Sequence, residues 1–207
     1  KVKGNYCRSM TDTMLYLMKA YLHEKERGCE HTKWMEAVKR YCDKLVEIQN
    51  ENGSWNRGYS MDGVPLTEPA EWFGRNEIER GSGAIFPIPL LIDLYHLTGN
   101  HAYYESARKA ASFILKTYVA NVYYIGGIND TSHKKSVKMD AASVMFVMRS
   151  LLVMYEETKK QEFLEGAVKA AKILVTWTYI WDVPYDENTL LGKHGFKTTG
   201  WAVCDAI

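Results

Sequence analysis

The sequence predicts an all-α chain of stacked helical hairpins, and three observations carry that expectation. Three amphipathic segments fall in register with one another, three nearly apolar segments precede them, and the connections alternate between short and long.

The register comes first. Residues 34–45 (WMEAVKRYCDKL), 104–115 (YESARKAASFIL) and 164–175 (LEGAVKAAKILV) superpose Ala37 on Ala107 and Ala167, and Lys39 on Lys109 and Lys169. Leu45 then falls on Leu115 and Val175, and the spacing is 70 residues, then 60. Each segment has one small or apolar face and one lysine/glutamate face, the signature of a surface helix.

The preceding segments, 14–22 (MLYLMKAYL), 85–97 (IFPIPLLIDLYHL) and 143–155 (SVMFVMRSLLVMY), are apolar nearly all round. A helix of that kind is expected to be buried on every side. Their length, their Leu and Met content and their lack of alternation set them apart from strands. Pro87 and Pro89 suit the first turn of the second one, where a missing N–H costs little.

The connections complete the pattern. Residues 98–100 (TGN) and 157–161 (ETKKQ) read as tight turns, whereas about 50–83, 119–140 and 178–200 are long. In a stack of hairpins the short turns fall on one rim and all three long loops on the other. Long loops rich in Trp, Tyr and Gly mark that second rim as the working face.

Composition excludes several classes. The chain is 46% hydrophobic and 25% charged with a net charge of +1, so no global attraction to nucleic acid is encoded. No run of about 18 apolar residues is present, and no membrane span is expected. Cys7, Cys29, Cys42 and Cys204 lack metal-site spacing and read as free or buried thiols. The phosphate-loop, dinucleotide, nucleophile-elbow and H-E-x-x-H motifs are absent, and neither a cofactor nor a metal is expected. The compartment stays open: cytoplasmic, or periplasmic or secreted with a leader removed.

Residues 49–59 (QNENGSWNRGY) end the first surface helix. Gly53 suits a left-handed helix cap. Trp55 either packs over the helix end or offers a flat face to a ligand. Arg57 and Tyr59 lie beyond the cap and point to a ligand or a neighbouring loop.

Gln49, Gly53 and Trp55 fit the Q-x-x-x-G-x-W pattern of terpene cyclases, with Leu45 four residues before the Gln. Similar helix ends recur in carbohydrate-active proteins built on the same ring. The chain resembles the α/α toroid of six-hairpin glycosidases over almost its whole length, as a single domain with three of six hairpins. The aspartate-rich motifs of the cyclases are missing, which favours the carbohydrate-active branch. The resemblance implies the front half of a larger toroid, or a half-ring completed by another copy.

The long-loop rim collects acids and aromatics. Glycoside cleavage uses two carboxyl groups across the scissile bond, one of them protonated, together with flat apolar surfaces and a few polar groups. "GGIND…MDAAS" is similar to the acid-bearing loops of sugar-cleaving toroids, and this resemblance implies Asp130 and Asp140 as the carboxyl pair. Which would be the acid stays open, and Asp140 also suits the N-cap of the helix that follows. Trp55, Tyr59, Trp72, Trp181 and Trp201 are expected as stacking surfaces, Arg57 and Lys197 as polar anchors, and His194 as a further substrate contact. Lys134, Lys135, Lys138, Lys193 and Lys197 would suit a uronic acid. Two rival functions remain: a lyase or epimerase using His133 or His194 with a tyrosine, and a helical-repeat binding module without catalysis.

Overall fold

The structure is a computed structural model and describes residues 4–124 and 139–202. It is predominantly helical. Three antiparallel helix pairs make the body: α1 (Cys7–Glu26) with α2 (Thr32–Glu47), α5 (Ile88–Thr98) with α6 (His101–Ile114), and α7 (Ala141–Thr158) with α8 (Gln161–Thr176). Between the first two pairs lie two one-turn helices, α3 (Ala70–Phe73) and α4 (Glu77–Arg80), and α9 (Leu190–Lys193) follows the third. Among the described residues the only sheet is a two-residue pair, β1 (Asn5–Tyr6) against β2 (Gly58–Tyr59).

The hairpins stack side by side. The first helix of each pair touches the next, α1 on α5 and α5 on α7. Their partners step along in a repeated way. The Tyr103 hydroxyl at the start of α6 donates to Asp43 Oδ1 near the end of α2 at 2.6 Å. One step on, a Cβ on Gly166 of α8 would lie 2.5 Å from Leu115 Cδ2, just past the end of α6. At both steps the end of the second helix of one pair rests on the first half of the second helix of the next pair. A π-helical turn, Leu115–Val119, carries the chain past that contact.

Turn chemistry repeats at the 60-residue period. Thr98 Oγ1 donates to Leu94 O at 2.7 Å and accepts from Asn100 N at 3.3 Å, while Gly99 takes φ +70°. Thr158 Oγ1 donates to Met154 O at 2.7 Å and accepts from Lys160 N at 3.3 Å, with Lys159 at φ +57°. The same left-handed C-cap closes both helices. Near these turns His96 Nε2 meets Glu157 Oε2 at 2.6 Å across α5 and α7, which puts both on one rim.

Burial corrects one expectation. Among the first helices of the three pairs α5 is the most enclosed, with Ile88, Leu90, Leu91, Ile92 and Leu94 all buried, although Leu97 in its last turn is exposed. On α1 the buried residues follow a single stripe, Cys7, Thr11, Leu15, Met18 and Tyr21, and Tyr16 is 64% exposed. Met145 of α7 is likewise exposed. The segments 14–22 and 143–155 looked as apolar as α5, but α1 as a whole also carries Arg8, Asp12, Lys19 and Glu24, and among the described residues α5 alone has hairpins on both sides.

Candidate functional site

Loop one is built on the strand-like stretch 55–59, which is held from both sides. On one side β1 pairs with β2, and Cys7 N donates to Arg57 O at 2.8 Å. On the other, Trp55 bridges Ser82 and Arg57 N donates to Arg80 O at 2.8 Å. Phe73 crosses Gly58, where a Cβ would lie 2.6 Å from its ring, and stacks on Tyr6 at 5.4 Å.

The residues 49–55 are a staple for the helix end. Gln49 Nε2 donates to Gly53 O at 2.9 Å and to Ser106 O of α6 at 2.8 Å. The Trp55 indole donates to Leu45 O at 2.7 Å, satisfying one of the carbonyls that the end of α2 leaves without an intrahelical partner. Trp55 is 0% exposed, so it is core and offers no face to a sugar. Gly53 is not the helix cap, because α2 ends at Glu47 with Ile48 as its C-cap. Gly53 closes the following turn, with φ +89° and no room for a Cβ, which would sit 2.5 Å from Lys109 O.

Arg57 is buried as well. Its Nε donates to Ser82 Oγ at 2.9 Å and its Nη1 to Trp72 O at 3.1 Å. Tyr118, Glu79, Tyr6 and Asp140 lie within electrostatic reach of the guanidinium. Burial pushes its pKa down, but from so high a starting value that the group stays charged. Glu79 is buried on α4, with Oε2 accepting from Arg75 N at 2.7 Å and Oε1 from Asn76 Nδ2 at 3.0 Å. The Tyr118 hydroxyl donates to Ile78 O at 2.9 Å, and burial drives its pKa far up. Tyr123 is raised by burial and then by Glu79.

Asp140 joins this cluster from the start of α7. It is 3% exposed, and its Oδ1 accepts from Ser143 N at 2.6 Å and Ser143 Oγ at 2.8 Å. It is therefore the N-cap of α7. Asp130, its expected partner, lies outside the described residues, as do His133, Lys134, Lys135 and Lys138. Tyr59 is also buried, and its hydroxyl accepts from Asn56 N at 2.7 Å, so it braces the loop and presents no stacking face. Of the loop-one aromatics predicted to stack, only Trp72 reaches the surface, at 40% exposure.

Loop three forms a lobe of its own. Tyr179 N donates to Trp201 O at 2.9 Å, Gly200 N to Tyr179 O at 2.8 Å, and Thr198 Oγ1 to Trp181 O at 3.0 Å. Asp182 Oδ1 accepts from Thr199 N and Oγ1, and Lys197 Nζ lies 3.0 Å from Asp182 Oδ2. These donors and the lysine hold the Asp182 carboxyl down at about 2. Trp181 is 61% and Trp201 60% exposed, and His194, the C-cap of α9, is also exposed. Among the described residues the hydrogen bonds of this lobe run within itself and to the end of α8. The structure thus brings Arg57, Trp72 and Asp140 together, and places Trp181, His194, Lys197 and Trp201 on a separate element. Glu79 and Tyr118 are the members of the cluster that sequence reasoning passed over. The only signal for Glu79 was its place among the acids of loop one.

Among the described residues no group of histidine, cysteine and carboxylate side chains is set to hold a metal, and no helix is long and apolar enough to cross a membrane. The chain matches no known protein-family model and shows no significant sequence similarity to curated proteins.

Proposed function

We propose that the chain is part of a glycoside hydrolase built on a toroid of helical hairpins. The substrate would be an oligosaccharide or polysaccharide fragment, with a uronic acid suited to the lysines of loops two and three. One observation carries the reading: a surface tryptophan, Trp72, whose backbone is tied by Arg57 to a buried cluster holding Asp140 and Glu79. Sugar recognition calls for flat apolar faces and glycosidic cleavage for held carboxyl groups. The repeated step between hairpins supports the ring. In that arrangement the outer sides of α1 and α7 would be covered by another copy or by further hairpins.

Asp130 and Asp140 are the proposed carboxyl pair, with Trp72, Trp181 and Trp201 against sugar faces and Lys197 and His194 as polar contacts. The test is a screen of the protein on labelled oligosaccharides, with Asp130→Asn and Asp140→Asn as controls. Turnover lost in both variants while helicity is retained supports the reading. Turnover unaffected by either removes the carboxyl pair, and an unsaturated product would mark a lyase instead. The burial of Asp140 favours a second reading, a binding module in which it only caps α7. Binding without turnover on every oligosaccharide would establish that one.

A further inference from the structure

We infer that the cavity between the first helix pair and loop one is a binding site for a small phenol, a benzene-sized ring carrying one hydroxyl. The cavity measures about 160 Å³, and an apolar cavity of about 150 Å³ is enough for a benzene ring. Three elements wall it: Cys7 and Met10 from α1, Leu45 and Ile48 from the end of α2, and Tyr59 and Met61 from loop one. Cys7, Leu45 and Tyr59 are buried, whereas Met61 is 78% exposed, so the cavity runs from the core to the surface. It is distinct from the cluster around Arg57. Phe73 stacks on Tyr6 and crosses Gly58, while their chain neighbours Asn5 and Tyr59 point to the other face of the strand pair and line the cavity. The inference therefore goes beyond the glycosidase reading and does not depend on it.

The walls suit a ring. Met10 and Met61 approach from two elements, and a thioether both adapts its shape to an aromatic edge and is attracted by it. The turn that carries Met61 is closed by Gly63 N donating to Ser60 O at 3.0 Å and Val64 N donating to Ser60 Oγ at 3.1 Å. Gly63 takes φ +83°, and Lys44 lies across it with Cε 2.6 Å from where a Cβ would stand. The turn is thus seated on α2, and the cavity is formed in advance of any ligand.

The polar atoms choose the substituent. The Tyr41 hydroxyl is spent on Thr11 Oγ1 at 2.8 Å and Cys7 O at 3.3 Å. Lys44 Nζ lies 2.6 Å from Glu47 Oε1, so a carboxylate would compete with an acid already in place. Asn5 gives its Nδ2 to Met61 Sδ at 3.5 Å, and Ser60 uses its side-chain oxygen to accept. An amide oxygen and a hydroxyl proton are left without a partner among the described residues. One acceptor and one donor are what a phenolic hydroxyl pairs with. Cys7 takes no covalent part: burial lifts its thiol to about 12, and a protonated thiol is a poor nucleophile.

The probe is 4-methylphenol, followed through the methionine methyl groups by 13C NMR, with Met10 and Met61 assigned by Met10→Leu and Met61→Leu. Saturable movement of both methyls is expected, with a Kd of about 1 mM. Toluene, which lacks the hydroxyl, and benzoate should each bind several-fold more weakly. Ser60→Ala should weaken 4-methylphenol about 2- to 10-fold and leave toluene unchanged. Ile48→Trp, which fills the cavity, should abolish the movement. No saturable movement up to the solubility limit of 4-methylphenol overturns the inference. So does toluene binding as tightly as 4-methylphenol, and benzoate binding more tightly would place an anion on Lys44 and overturn it equally. Should Ile48→Trp fail to fold, an unchanged affinity in Ser60→Ala overturns the inference by itself. None of these outcomes bears on oligosaccharide turnover, so the glycosidase reading is decided separately.

Discussion

Loop one and loop three contain the same kinds of residue and are built in opposite ways. Each brings tryptophan, tyrosine, a cation and an acid to the region that follows an outer helix. In loop one Trp55, Arg57 and Glu79 are turned inward, with Trp72 left at the surface: Trp55 closes the end of α2, Arg57 spans Ser82 and Trp72, and Glu79 is enclosed by its own turn. In loop three they are turned outward, with Trp181 and Trp201 mostly exposed and Lys197 meeting Asp182 in solvent. The comparison teaches that an aromatic-rich loop can be either the frame of a site or its surface. The distinction lies in what its polar atoms find to bond.

The largest expected effect follows from that contrast. Trp55→Ala removes a fully buried indole together with the donor that satisfies Leu45 O, and should cost about 3–5 kcal/mol. Trp181→Ala and Trp201→Ala, on exposed rings of the lobe, should each stay within about 0.5 kcal/mol. Urea denaturation followed by circular dichroism measures all three. A Trp55 variant as stable as the Trp181 variant would mean that the two loops do not differ in this way.

Glycine sharpens the same comparison with a smaller effect. Gly53 and Gly200 have almost the same φ, +89° and +88°. A Cβ on Gly200 meets nothing within 4 Å, whereas one on Gly53 collides with the backbone of Lys109. Gly200→Ala should therefore cost only the left-handed penalty, about 1–2 kcal/mol. Gly53→Ala should add about 1–3 kcal/mol of overpacking against α6. Thermal melts of the two variants check the ordering.

How far the sequence discloses this depends on the range of the interaction. The helices, their order and the tight turns were legible because they rest on local periodicity and on cap chemistry, such as Thr98, Gly99 and Asn100. The capping role of Asp140 was legible for the same reason, since an acid immediately before an apolar run has a local meaning. The outward exposure of Tyr16 was not, because residues 14–22 read as apolar nearly all round, whereas the whole of α1 also carries Arg8, Asp12, Lys19 and Glu24 and buries a single stripe. Nor was the burial of Arg57 and Tyr59. Their partners, Ser82, Trp72 and the paired strand β1, are brought together by the long loop and not by sequence proximity. Sequence chemistry flagged a working rim, but which of its tryptophans meet water depends on contacts between residues far apart in the chain.

The smallest effect, and the one most specific to the comparison, is a response to pH from opposite directions. In the body, burial raises Cys7 and Cys42 to about 12 and drives Tyr41, Tyr59 and Tyr118 upward as well. Folding keeps these groups protonated, so their contribution is fully present below the unfolded values near 9 and 10. It is lost as pH rises toward the folded ones. In the lobe, Asp182 is held at about 2 by Thr199 and Lys197, against an ordinary value of 3.8. Its contribution is present above pH 4 and is lost as pH falls toward 2. The carboxyl is solvent-exposed, so screening keeps the loss small and local to the lobe. Amide NMR should therefore show Thr199 N–H shifting between pH 4 and 2 while the amides of α5 stay in place. Above pH 9 the helical signal of the whole body should weaken. Loss of α5 amides in the acid range together with Thr199 would show that the lobe is an integral part of the body and not an element that hydrogen-bonds chiefly with itself.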